Sequence, residues 1–108
     1  MISGYKAMWV IVAFDLSTIT KRDRRRANNF RKSLIKSGFT KLQLSVYSYY
    51  VTSKEKAMFV AKGVKKNVPD NGHATIFFLT DKQFAMTKNY YGKLTQEIKQ
   101  PELFTNLT

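Results

Sequence analysis

Met8-Trp9-Val10-Ile11-Val12-Ala13-Phe14 is an unbroken apolar run, rich in β-branched and aromatic side chains and closed by Asp15. Such a run has no polar face to turn to water, so as a strand it must be covered on both sides. It is too short to cross a bilayer, which takes about 20 apolar residues. Asp15, with no small-residue cleavage site after it, argues against a signal peptide. Ala74 to Thr80 is a second strand-forming run apolar on both faces. A chain of 108 residues has room to build one hydrophobic core, not two.

Between the two runs the periodicity turns helical twice. From Thr20 onward, Ala27, Phe30 and Leu34 recur at helical spacing, Asp23 approximates a capping box with Thr20, and Gly38 supplies the stop. Ser53 caps a second helix with the stripe Ala57, Val60, Ala61 and Val64. Phe39 to Val51 is extended, long enough for a hairpin of two short strands or for one bent strand. Pro69-Asp70-Asn71-Gly72 is the clearest turn, and Thr80 with Gln83 forms a capping box that opens a short helix to about Lys88.

Residues 1–7 read as a loose lead-in, 8–92 as the domain, and 93–108 as a weakly patterned tail in which Pro101 argues against a long helix. The order β-α-β-β-α-β predicts an α+β, ferredoxin-like sandwich, an antiparallel sheet with two helices on one face. The other face still needs a cover. A second copy of the chain, packed sheet to sheet, is the simplest candidate.

Charge supplies the functional signal. Nineteen Lys and Arg against seven Asp and Glu give a formal net charge of +12, which implies a polyanionic partner. Residues 20–37 alone hold eight basic residues against Asp23. Lys21, Arg25, Lys32 and Lys36 fall within about 60° of one another on a helix, opposite the apolar stripe. Arg22, Arg24, Arg26 and Arg31 fill the flanks. A solvated helix face ordinarily mixes signs in i,i+4 pairs. This one does not, and Lys21, Arg22, Arg25, Lys32 and Lys36 are the candidate contacts to nucleic-acid phosphates. A membrane surface would need an aliphatic helix face left free to insert, and none is to spare. The absence of cysteine excludes disulfides and thiolate metal sites and fits a reducing cytoplasm.

Candidate chemistry is sparse. Asp15, at the carboxyl end of a buried strand, either binds a hard cation such as Mg²⁺ or caps the following loop by accepting backbone hydrogen bonds. His73 is the lone histidine, and a lone surface histidine is ordinarily neither base nor ligand. There is no Gly-rich phosphate loop, zinc-ligand cluster or nucleophile elbow. The tyrosines at 47, 49, 50, 90 and 91 have the spacing of core or interface residues rather than of a base-stacking sheet.

Several segments together resemble the CRISPR-associated Cas-two family. They are Phe14-Asp15-Leu16, Phe30-Arg31-Lys32-Ser33-Leu34, Gly38-Phe39, Gln43-x-Ser45-Val46-Tyr47, Pro69-x-x-Gly72 and Leu79-Thr80-x-Lys82-Gln83, in order from about Met8 to Gly92. The Gln-x-Ser-Val-Tyr and Thr-x-Lys-Gln forms are most similar to members from Cas-nine-containing systems. The resemblance implies a homodimer packed through its sheets, bridging dimers of the Cas-one integrase during spacer acquisition and supporting duplex DNA. It implies that the tail pairs with the partner protomer. It also implies a metal-dependent ribonuclease or deoxyribonuclease alternative, with Asp15 as catalytic metal ligand and Mg²⁺ at the dimer interface. A toxin-like ribonuclease on a related fold would share the fold but not the whole motif series. The chain departs from a common pattern in Phe14, where many members have Tyr, and in Ser17, where close relatives often have Pro.

Overall fold

Strand β1 (Met8–Asp15) is the axis of the computed structural model, which describes residues 7–94. It pairs antiparallel on one side with β3 (Val46–Val51), Met8 opposite Val51 and Ala13 opposite Val46. On the other side it pairs with β4 (His73–Thr80), Met8 opposite Thr80 and Asp15 opposite His73. The short β2 (Thr40–Gln43) joins the far side of β3, giving the sheet order β2-β3-β1-β4. Both two-sided apolar runs are therefore strands, but only the first lies inside this sheet. β4 is an edge.

Residues 39–51 form the hairpin of two short strands rather than one bent strand, with a register shift between Lys41 and Gln43. Its turn, at Leu44 and Ser45, is held from outside the hairpin. The Phe14 amide donates to the Ser45 carbonyl at 3.0 Å, and Arg31 Nε donates to the Leu44 carbonyl at 3.3 Å.

Helix α1 (Lys21–Lys36) starts where Thr20 Oγ1 accepts the Asp23 amide at 2.9 Å. It ends at Gly38, whose φ of +105° favours glycine. There the Gly38 amide donates to the Ile35 carbonyl, and the Phe39 amide joins the Ser37 amide on the Leu34 carbonyl, so the last helix carbonyls are satisfied. Helix α2 (Lys54–Asn67) is capped by Ser53 Oγ, which accepts the Lys56 amide. Phe30 and Leu34 of α1 and Ala57 and Val64 of α2 pack with Val10, Val12, Phe14, Phe39, Tyr47 and Val51 in one core, and Ala27 of α1 is buried as well. Phe30 meets the Phe14 ring edge-on, centroids 4.9 Å apart. Each fully buried aliphatic or aromatic side chain here stabilises the fold by roughly 1.5–3 kcal/mol.

Thr80 and Gln83 form the expected capping box, but the helix they open, α3 (Asp81–Ala85), stops at Ala85 rather than near Lys88. The Met86 and Thr87 amides close it on the Gln83 and Phe84 carbonyls. α3 lies on the sheet face away from α1 and α2, with Phe84 stacked on Trp9 at 4.0 Å. On that face Tyr50 and Phe77 remain 42% and 49% exposed, so α3 covers it only in part. The lead-in, apart from Ala7, and the tail beyond Leu94 lie outside the described residues.

Candidate nucleic-acid interface and strand-end site

The basic face of α1 is displayed as the sequence predicts. Lys21, Arg22, Arg25, Lys32 and Lys36 are all exposed, while Ala27, Phe30 and Leu34 on the opposite side are buried. At 1.5 Å rise per residue, Lys21 and Lys36 are separated by about 22 Å along the axis. Two of the flanking arginines are engaged by the fold itself. Arg24 donates to the Thr18 and Ile19 carbonyls and so fastens the β1–α1 loop. Arg31 donates to the Leu44 carbonyl and to Asn28 Oδ1, with its guanidinium 5.7 Å from the Phe14 ring centre. These two cations have structural partners, which sequence periodicity alone could not assign.

Asp23, the one acid of the helix, is turned to the loops at the helix start. Its Oδ2 accepts Ser17 Oγ–H at 2.8 Å and its Oδ1 accepts Asn71 Nδ2–H at 3.3 Å. These bonds, that from Ser17 foremost, hold its carboxyl below the ordinary value against the opposing effect of desolvation. Ser17, Asp23 and Asn71 thus tie three segments together: the end of β1, the start of α1 and the turn before β4. In that turn the Gly72 amide donates to the Pro69 carbonyl at 2.9 Å. A Cβ on Gly72 would meet the end of the Leu16 side chain, which would have to shift to admit it, so turn and loop approach closely here.

Asp15 stands exposed at the end of β1. The loop-capping role that the sequence left open for it falls to other residues: Ser17 Oγ accepts the Ile19 amide, and Thr20 Oγ1 accepts the Asp23 amide. No hydrogen bond engages the Asp15 carboxylate among the described residues. A hard divalent cation would fit this donor as a monodentate carboxylate ligand with several retained waters. Among the described residues no group of three or more His, Asp or Glu side chains gathers around it or elsewhere. The residue that sequence spacing passed over is His73, which the β1–β4 register sets directly across from Asp15. The signal was there to be found: antiparallel alignment of the two apolar runs places the residues just outside them opposite each other.

Tyr47 lies under this end of the sheet. It is buried, its ring stacks on Phe14 at 5.7 Å, and desolvation raises its hydroxyl pKa, with Arg31 opposing. It belongs to the core, as its spacing suggested.

A four-stranded sheet in the order β2-β3-β1-β4, with α1 and α2 on one face, defines a ferredoxin-like α+β domain. The crystal structure of Streptococcus pyogenes Cas2 at pH 6.5 has this fold, superposing with a TM-score of 0.61 over 77% of this chain and 99% of that one at 15% identity. The sequence profile of the family described as CRISPR associated protein Cas2 matches residues 8–87. The CRISPR-associated endoribonuclease Cas2 of Parvibaculum lavamentivorans is 42% identical over 101 residues, spanning 90% of this chain and all of that protein. The protein of the same name from Flavobacterium psychrophilum is 36% identical over 100 residues, spanning 93% of this chain and 87% of its own length. The chain belongs to the CRISPR-associated Cas2 family. No helix among the described residues is long and apolar enough to cross a membrane.

Proposed function

We propose that this chain is the nucleic-acid-binding scaffold of a CRISPR spacer-acquisition complex, acting in the cytoplasm as a homodimer that supports duplex DNA and bridges dimers of the Cas-one integrase. The observation that carries the reading is the exposed row Lys21, Arg22, Arg25, Lys32 and Lys36 on a helix whose only carboxylate faces the loops. Such a row is costly beside its own like charges and favourable beside phosphates, which it contacts without reading base sequence. Dimerisation is supported by the edge position of the apolar β4 and by the half-exposed Phe77 on the incompletely covered sheet face. Pairing of the tail with a partner protomer is part of the same reading.

A second reading is favoured by the names of the relatives and by the exposed Asp15 without loop partners. In it the protein is a metal-dependent endonuclease acting on RNA or DNA. A bound Mg²⁺ would supply phosphate polarisation and an activated water, with Asp15 holding the ion. In this chain the residues of α1 would still bind and orient the nucleic acid.

Asp15→Asn separates the two. The amide keeps the size of the side chain and removes the charge that attracts a divalent cation. The scaffold reading expects dimerisation, DNA binding and integration with the Cas-one partner to stay near wild type. An Asp15→Asn variant that folds and dimerises but fails in integration contradicts it. A Mg²⁺-dependent nuclease activity lost in that variant favours the second reading.

A further inference from the structure

His73, the only histidine of the chain, is the antiparallel partner of Asp15. Directly opposed residues of such a pair project from the same sheet face with Cβ atoms about 4.5–5.5 Å apart. Both side chains are exposed. The hydrogen-bond partner of the imidazole among the described residues is Thr75 Oγ1, 3.5 Å from Nε2 and on the same face. The backbone beneath the pair is held firmly. The Ser17–Asp23–Asn71 bonds fix the ends of β1 and of the turn, and Gly72 seats that turn against Leu16.

We propose that Asp15 and His73 together form a mixed carboxylate–imidazole site for a divalent transition-metal ion, preferring Mn²⁺ to Mg²⁺. The proposal rests on reading Asp15 as a cation ligand, and adds the second donor that a single carboxylate lacks. Carboxylate and imidazole bind at about 2.0–2.2 Å from an ion, a reach that two facing side chains on paired strands satisfy. Mg²⁺ demands oxygen donors and gives up its waters reluctantly, whereas an imidazole adds affinity for first-row transition metals. Two protein ligands leave the remaining positions to water and to phosphate oxygens, the donors that a nucleic acid brings. The Thr75 hydroxyl stands where it can orient the ring from outside.

The single histidine makes the test direct. In tag-free protein, sub-stoichiometric Mn²⁺ should broaden the proton NMR signals of the one imidazole, and Asp15→Asn should abolish the effect. Free Mn²⁺ followed by electron paramagnetic resonance should show His73→Gln weakening Mn²⁺ binding at least about tenfold, with Mg²⁺ affinity, read by competition, unchanged. Thermal melting should be unaltered in both variants, because both side chains are exposed. If Asp15→Asn abolishes Mn²⁺ binding and His73→Gln does not weaken it, the two-ligand site is refuted while Asp15 stands as a ligand. If neither variant changes Mn²⁺ binding, Asp15 as a cation ligand falls too.

Discussion

The indole Nε1 of Trp9 donates a 2.8 Å hydrogen bond to Oδ1 of Asp81, the first residue of α3. The bond joins β1 to a helix that lies 72 residues further along the chain. Phe84, one turn further along α3, lies on the indole with ring planes only 15° apart. Together they pin α3 on the sheet face that α1 and α2 leave open. Trp9 is the only tryptophan, so its fluorescence reports this environment alone. Phe84→Ala should red-shift the emission and lower stability by about 1 kcal/mol, the scale of an aromatic pair. An unchanged emission maximum would show that α3 is not held there.

Helix α1 offers a sharper contrast between neighbours. Leu34 is 1% exposed and Ile35 is 52% exposed. Leu34→Ala should cost about 2–5 kcal/mol in urea unfolding, and Ile35→Ala no more than about 0.5 kcal/mol. Equal costs would mean that the helix is turned about its axis and that the basic row does not face outward.

Much of this was legible because it is written locally. The limits of α1 follow from Thr20 and Gly38, and the capping box of α3 from Thr80 and Gln83, residues whose chemistry acts within a few positions. The hairpin at 39–51 was not legible. Its turn, Leu44-Ser45, lacks the Asn-Gly or Asp-Gly pair that announces a tight turn, and the Phe14 and Arg31 bonds that hold it come from distant segments. The end of α3 at Ala85 was also hidden, since the strong cap at its start says nothing of its length. At the site, helical periodicity identified the exposed basic row. It could not foresee that Arg24 and Arg31 would bond loop carbonyls.

Asp23 sets an acid limit. Its hydrogen bonds favour the carboxylate, so its folded pKa lies below the unfolded value of about 3.9. The stabilisation is therefore complete above that value and is lost as pH falls through the folded pKa. Asp23→Asn should be less stable than wild type at pH 6, with the gap narrowing below about pH 3.9. Melting curves that run parallel down to about pH 3 would show that these bonds do not favour the charged form.

The partly covered sheet face predicts self-association. Light scattering at micromolar concentration should give about twice the chain mass of 12.5 kDa, and Phe77→Lys should shift it to the monomer while leaving circular dichroism unchanged. A wild-type mass of 12.5 kDa would rule out the homodimer.

The claim that α1 holds nucleic acid through its phosphates is tested most directly by the salt dependence of duplex DNA binding. The logarithm of affinity should fall linearly with the logarithm of salt concentration, on random-sequence duplexes as on any other. Replacing Lys21, Arg25, Lys32 and Lys36 together with Ala should flatten that slope by about 0.9 for each phosphate no longer neutralised, with the fold intact because all four side chains are exposed. A quadruple variant with the affinity and slope of wild type would show that the basic face is merely solvated, and that nucleic acid, if bound at all, lies elsewhere.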